Sequence, residues 1–467
     1  MVIPENYFSI PGLLKQSRIF FIRDMLSKLA NRQYVMMSLL VAPLLALVLS
    51  FFTKYSKGWH YQFSENENLF AFLFMCVLTA LFLGLIISAD EIVKDRKILR
   101  RESFLNLSWF SYLNSKLMIM FLISAIQTIS FILIGNFILE IKGMTLSYWI
   151  ILFTTSCFAN ILGLNISSAF NSVVTIYIII PLILIPQILF SGVMVKFDRL
   201  RSRNQAATEY VPIIGDMMTA RWSFEALAVE QFKNNRFERN FFNYNVDIYQ
   251  NDWYAYFLIK ALKTDLWQCK KLKDSARFHN VVKDNFSKLD HYIDRLNMLA
   301  GFGAITGSWK SSLSFEKFDS VTSVQTEHYL DSLETRFRKM RKAGIALKDS
   351  VENKLGRETL MKLRENYENR KLVEVMLNEM DKDKVIETPD RIIQKYAPAY
   401  MRPVTKNGRT HFYAPYKMVG NLSIDTFWFN IIVLWIVNLM LYMALYFNLL
   451  QKTVIYFGSL RLIPREK

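Results

Sequence analysis

Charge is missing from five long stretches of this 467-residue sequence: residues 33–53, 68–89, 117–139, 145–195 and 426–451 contain no Asp, Glu, Lys or Arg. A helix of roughly 20 predominantly apolar residues crosses the hydrocarbon core of a bilayer. Four of the windows hold one such helix each. The window 145–195 holds two, with Ser167-Ser168-Ala169-Phe170-Asn171-Ser172 as its polar turn. Runs this long and this free of charge argue against buried helices of a soluble α-protein. They predict six spans.

Other absences narrow the chemistry. There is no G-x-x-x-x-G-K-[ST] loop, which rules out ATP binding in that manner, and no C-x-x-C or H-E-x-x-H. The five histidines (His60, His279, His291, His328 and His411) lack metal-ligand spacing, and a surface role is the plainer reading of them. No serine elbow or Cys/His signature appears. Of three cysteines, Cys76 and Cys157 fall inside spans and Cys269 stands alone, so the polar part of the chain has no pair for an intrachain disulfide. Carboxylates and amines are absent from the spans, which leaves an ion-coupled pump without carriers. Work done by this protein must be powered from elsewhere.

The basic residues give an orientation. Lys15, Arg18, Arg23, Lys28 and Arg32 precede span 1; Lys94, Arg96, Lys97, Arg100, Arg101 and Lys116 lie between spans 2 and 3; Lys452, Arg461, Arg465 and Lys467 follow span 6. The short loops on the other side carry only Lys54, Lys57 and Lys142. The positive-inside rule then puts both termini in the cytoplasm and residues 196–425 outside, in a plasma (inner) membrane. More than half of the net charge of +17 lies in 196–425, where acids and bases alternate without a single-sign stripe. That pattern reads as a solvated surface, not as a nucleic-acid interface. No cleavable signal peptide is expected, because the polar stretch before span 1 is too long for an n-region.

The fold class expected is an all-α membrane protein: six transmembrane helices plus a mainly α-helical extracytoplasmic insertion. Residues 1–32 read as an amphipathic helix in the interface, or as a plain extension of span 1, with Leu13, Leu14, Ile19, Phe20, Phe21, Met25 and Leu26 near helical spacing. Residues 33–195 hold spans 1–5, with the loop 90–116 expected to form a short helix against the cytoplasmic face. Positive-inside anchoring accounts for the basic residues of that loop; it does not account for Asp95 and Glu102 beside Arg96 and Arg101. In 196–425, the aromatic, Asn-rich stretch 236–252 reads as loop and 253–300 as helix broken by Gly301 and Gly303. Apolar residues at 3–4 spacing in 325–347 and 356–381 predict a helical hairpin. Thr388-Pro389-Asp390 has the make-up of a helix start. Pro398, Pro403 and Pro415 make 398–424 an extended return to span 6 at 426–451, followed by a cytoplasmic tail, 452–467.

Three places in the chain resemble the membrane domain of G-type ABC exporters, the ABC-2 class. Asp95-Arg96, Arg101-Glu102, Tyr112 and Ser115-Lys116 look like that family's "E-R…R-E…Y…(S/A)-K" loop, with Asp95 where Glu is usual. Phe190-Ser191-Gly192-Val193-Met194-Val195 resembles its "SG" exit. Arg221-Trp222-Ser223-Phe224-Glu225-Ala226-Leu227, with Glu230 and Phe232, resembles the "R-Y-x-F-E-A-L…E-F" segment before span 6. The likeness covers roughly 1–235 and 420–467.

The resemblance implies roles. The N-terminal helix becomes a connecting helix, and residues near 90–104 a coupling helix resting on an ATPase domain. Asp95, Arg96, Arg101, Glu102, Tyr112 and Lys116 become the coupling residues, and Val193 and Met194 an outer valve. Spans 2 and 5 become pathway walls facing those of a second copy. Phe70, Phe72, Phe74, Tyr177 and Gln187 are the candidate lining residues, although aromatics in such helices commonly face lipid or pack. The chain itself carries no catalytic residues and no metal site. ATP and Mg are expected through a partner nucleotide-binding domain, on a separate polypeptide or on another part of a longer one. The resemblance implies export of an amphipathic or lipid-like cargo; other partners are membrane lipid and an extracytoplasmic protein, with no nucleic acid. Two alternatives stay open: an ATP-driven mechanical relay acting through 196–425 without transport, and an ATP-independent receptor or anchor.

Overall fold

The computed structural model describes residues 12–102, 108–200, 209–273, 276–303 and 309–459. In chain order its helices are α1 (Leu13–Ala30), α2 (Arg32–Thr53), α3 (Leu69–Ser88), α4 (Glu91–Glu102), α5 (Trp109–Leu139), α6 (Thr145–Ala169), α7 (Val173–Leu189), α8 (Ile213–Asp216) and α9 (Thr219–Lys233). They continue with α10 (Phe242–Asp252), α11 (Ile259–Leu272), α12 (His279–Ala300), α13 (Ser320–Leu355), α14 (Arg357–Tyr367) and α15 (Arg370–Met376). Two small antiparallel hairpins follow, β1 (Val385–Glu387) with β2 (Ile392–Gln394) and β3 (Tyr416–Val419) with β4 (Leu422–Asp425). Helices α16 (Thr426–Tyr446) and α17 (Leu449–Ser459) close the described chain.

Among the described residues, five helices are long and apolar enough to cross a membrane: α2, α3 running on into α4, α5, α6 and α16. The sixth expected span, α7, is apolar but has 17 residues and contains Pro181 and Pro186. The helices expose large apolar residues, such as Leu44 and Phe51 on α2, Ile178 and Leu182 on α7, and Ile432 and Leu439 on α16. A water-soluble surface rarely tolerates that, whereas acyl chains cover it without penalty. The protein is a multi-pass membrane protein. The turn between α6 and α7 falls at residues 170–172, within the polar run expected to hold it.

The chain divides into two compact units. The first comprises residues up to Arg199, Pro212–Glu230 and Thr426 onward, and its tightest seam joins α3 to α6. Small residues allow that approach. A Cβ added at Gly84 would stand 2.6 Å from the Ala159 Cβ and 2.7 Å from the Ser156 carbonyl, and one at Gly163 would meet the Ser88 hydroxyl at 2.1 Å. Helix α1 does not confine its apolar residues to one face: Phe20, Phe21 and Met25 pack inward while Leu13, Leu14, Ile19 and Leu26 are exposed.

The second unit comprises Leu200–Val211 and Gln231–Asp425. The segment expected outside at 196–425 is therefore not one body, since 212–230 belongs to the first unit. The charges of Arg221, Glu225 and Glu230 make that segment look water-soluble in sequence, yet they are buried together with Phe224, Ala226, Leu227 and Ala228. The core of the second unit is built by α11, α12 and α13, from residues such as Leu262, Leu266, Phe286, Ile293, Leu330 and Phe337. A buried pair, Lys288 and Asp265 at 3.1 Å, joins α12 to α11.

Two local expectations are corrected here. The stretch 236–252 is not loop: α10 fills most of it and runs into a π-helical turn, Trp253–Leu258. Asparagine favours caps and turns in isolation, but Asn245 is held in the helix by bonds from its Nδ2 to the Glu238 carboxylate (2.8 Å) and the Tyr400 hydroxyl (3.2 Å). Thr388-Pro389-Asp390 does not start a helix; it is the turn between β1 and β2. Its Thr388 hydroxyl donates to the Arg391 carbonyl at 2.8 Å, and the strand that follows offers apolar Ile392 and Ile393, both buried, for pairing.

Glu238 is buried beside the Tyr400 hydroxyl, which donates to it at 2.7 Å. Burial pushes its carboxyl up to about 7, against the lowering effect of the Tyr400 and Asn245 bonds. Glu368 is raised as well, by burial, with Arg364 pulling the other way. Between the ordinary glutamate value of about 4.5 and 7, the folded unit keeps a proton that the unfolded chain releases. Stability of the second unit therefore falls as pH rises through that window, by roughly 3 kcal/mol at most for Glu238. Hydrogen exchange of the α10 amides, corrected for intrinsic rates, should show this slope, and Glu238→Gln should reduce it to the part due to the other carboxyls raised by burial, Glu368, Asp265 and Glu387. A slope unchanged in the variant contradicts the assignment.

Candidate coupling site

The residues of the 90–116 loop converge on one buried ammonium group. Lys116 enters α5 two turns from its start, and its side chain is 2% exposed. Its Nζ lies 2.7 Å from Asp24 on α1, 2.7 Å from Asp95 on α4 and 3.1 Å from Glu91 at the first turn of α4. Glu91 also pairs with Lys28 of α1. Glu91 and Asp95 are one helical turn apart and so share a face, which lets a single cation bridge both. The Tyr112 hydroxyl donates to Asp95 at 3.0 Å, one turn before Lys116 on the same helix. Three carboxylates thus surround two ammonium groups, tying α1, α4 and α5 together. The same helices share an apolar cluster of buried residues, Phe20, Ile92, Tyr112, Leu113, Leu117, Ile161, Leu164 and Leu445.

A second set of bonds fixes α4 to α6. Arg96 donates from one terminal nitrogen to the carbonyls of Ser167 (3.3 Å), Ser168 (2.9 Å) and Phe170 (3.1 Å). These carbonyls end α6, and a cation there both satisfies them and opposes the helix dipole. In return, the Ser167 hydroxyl accepts from the backbone N–H of Ile92 (3.0 Å) and Val93 (3.2 Å), serving the otherwise unbonded first turn of α4. Helix α1 is further sewn to α5 by Ser111, whose hydroxyl donates to the Leu13 carbonyl at 2.8 Å, and by Gln16, which accepts from the Ser108 N–H at 2.9 Å. The outward side of α4 is basic, with Lys94, Lys97, Arg100 and Arg101 exposed alongside Ile98. Glu102 ends the helix, and its side chain lies outside the described residues.

The other residues singled out in the sequence are distributed as follows. Phe72 and Phe74 are buried within the bundle, and Phe70 and Phe74 meet the Phe224 ring edge-on at 5.1 and 5.6 Å. Tyr177, half exposed on α7, donates to Asp90 at 3.3 Å. Gln187 accepts from the Ala220 N–H at 2.9 Å and so caps the start of α9. Val193 is half-buried and Met194 exposed. They follow Gly192, whose φ of +80° and close approach to the Phe197 ring (2.4 Å from an added Cβ) leave no room for a side chain.

In α9, Arg221 is fully buried, 3.6 Å from both Asp216 and Glu225 and stacked 3.9 Å from the Trp222 ring centroid. Glu225 accepts from Asn430 of α16 at 2.8 Å, and Glu230 from the Ser147 hydroxyl of α6 at 2.9 Å. Among the described residues, no group of His, Cys, Asp and Glu is placed to hold a metal ion.

Asp24, Glu91, Ser167 and Asn430 were missed from the sequence. The i,i+4 spacing of Glu91 and Asp95 facing a lone Lys116 was a usable signal; Asp24 and Asn430 lie too far away in the chain to offer one.

Removing the central cation leaves three partly buried carboxylates to one ammonium group. Lys116→Met should therefore destabilise the first unit by about 3–5 kcal/mol. Adding Glu91→Gln should recover part of the loss, a coupling of roughly 0.5–3 kcal/mol. Cys76 and Cys157 are buried in this unit, so the thermal midpoint of their labelling by a thiol-reactive dye reads its opening. A Lys116→Met midpoint no lower than that of the exposed Lys97→Met contradicts the arrangement.

No curated protein matches the chain. The family model of the ABC-2 type transporter matches residues 15–227, a range that takes in all but the first two residues of α1, then α2 to α7, the charged site and the buried start of α9. Over residues 15–227 the chain is similar to the membrane domain of ABC-2 type transporters.

Proposed function

We propose that this chain is the transmembrane subunit of an exporter that moves an amphipathic or lipid-like cargo outward, powered by ATP hydrolysed with Mg in a partner nucleotide-binding domain. Two copies of the chain face each other in the plasma (inner) membrane, with both termini and the charged site in the cytoplasm. The observation that carries the reading is the Lys116 site. A push on the exposed basic side of α4 reaches α1, α5 and α6 through charged and hydrogen-bonded contacts that do not stretch. The charge-free stretches 33–53, 68–89, 117–139, 145–195 and 426–451 supply no carboxylate or amine to drive transport, so the energy enters at α4.

One observation favours a second reading, the mechanical relay. The second unit has its own apolar core and its own buried ion pair, more than a passive loop between spans requires. In that case the second unit, lying outside, acts on an extracytoplasmic protein.

Copurification with a P-loop ATPase and reconstitution into vesicles tests both. Lys97→Glu combined with Arg101→Glu should lower cargo-stimulated hydrolysis about tenfold, equivalent to about 1.4 kcal/mol of coupling, at an unchanged thermal midpoint. Full stimulation in that variant contradicts the role given to α4. Deleting roughly residues 240–415 separates the readings, because an exporter keeps cargo-stimulated hydrolysis and a relay loses its output.

A further inference from the structure

The chain does not leave the bundle after its last span. Helix α16 has 21 residues, about 31 Å at 1.5 Å each, which already matches the roughly 30 Å hydrocarbon core. The expected span to residue 451 is cut short at Tyr446, where Asn448, at φ +52°, turns the backbone. Helix α17 starts at Leu449 and packs against α6 and α16, with Leu450, Gln451 and Val454 half-buried on the inward side. Its outward side exposes Leu449, Ile455, Tyr456 and Phe457, each at least half exposed, with Lys452 one turn before Tyr456.

We propose that α17 is an interfacial helix whose outward face lies in the headgroup layer, with lipid as its partner. Three observations fix that occupant. The length of α16 sets the depth, since the bilayer core is used up where α17 begins. The apolar face is continuous with the lipid-facing side of α16, through Met443, Tyr446 and Phe447, all exposed. The composition is that of a membrane boundary: Phe110, Tyr446 and Phe447 form an exposed aromatic group at the turn, with Phe110–Tyr446 and Tyr446–Phe447 edge-to-face at 6.4 and 5.1 Å. Lys452 and Tyr456 both carry a polar tip on an apolar stem, and so reach headgroup phosphates while Ile455 and Phe457 enter the acyl boundary.

The three native cysteines are all buried, so a cysteine at position 456 takes a label selectively. The full-length Tyr456→Cys chain carries an environment-sensitive fluorophore in nanodiscs of phosphatidylcholine and phosphatidylglycerol. Lipid-borne nitroxide near the headgroup should quench it about twofold more than aqueous iodide does. Ile455→Asp with Phe457→Asp should reverse that preference, and Lys452→Glu should weaken it in anionic but not in purely zwitterionic discs. Quenching dominated by iodide in the unmodified background, or protection from both quenchers as under a second protein surface, overturns the proposal.

Discussion

An ammonium group held among three carboxylates is the constraint on which the membrane unit depends. Lys116 has lost its water, and only the joint approach of Asp24, Glu91 and Asp95 replaces it. Each carboxylate comes from a different place: the N-terminal helix, the first turn of α4 and the turn after it. The desolvation cost of such a cluster is offset only when all members are present, so the helices carrying them have one mutual arrangement and few nearby alternatives. Arg96 extends the same logic to α6, where one guanidinium nitrogen shares its two N–H groups among three carbonyls at the helix end.

Around this fixed point the bundle uses two further devices. Close helix approach between α3 and α6 rests on Gly84 and Gly163, which bring backbone within reach of Ser156 and Ser88. The buried start of α9 adds charged groups, Arg221 and Glu225, to the buried polar side chains of the spans. Arg221 and Glu225 form an ion pair at 3.6 Å there, Asn430 donates to Glu225, Ser147 donates to Glu230, and Gln187 caps the helix. Polar side chains in a lipid-facing bundle are costly unless paired in this way. The pairing explains why a segment that reads as water-soluble belongs to the membrane unit.

Much of this was legible in the sequence, and the limits of legibility have physical causes. Charge-free windows located the spans because charge in hydrocarbon is penalised wherever it falls, and the turn at 170–172 followed from its serines. Depth was less legible than composition: α16 stops at Tyr446 although the charge-free window runs to 451, because Asn448 turns the chain without any charge to announce it. The loop 90–116 pointed to the site through Asp95, Arg96, Tyr112 and Lys116, but Asp24, about ninety residues away in sequence, completes it. In the second unit, Asn245 and Thr388 misled for one reason: both have strong local preferences that a distant partner overrides, Glu238 and Tyr400 in one case and the pairing of β1 with β2 in the other.

The central claim is that α1 and α4 move as one body because Lys116 binds them. Spin labels at the exposed positions 15 and 97 report their separation directly by pulsed electron resonance in nanodiscs. A single narrow distance distribution in the native background, broadened in Lys116→Met, is the predicted result. The same narrow distribution with and without the Lys116 ammonium would contradict the account.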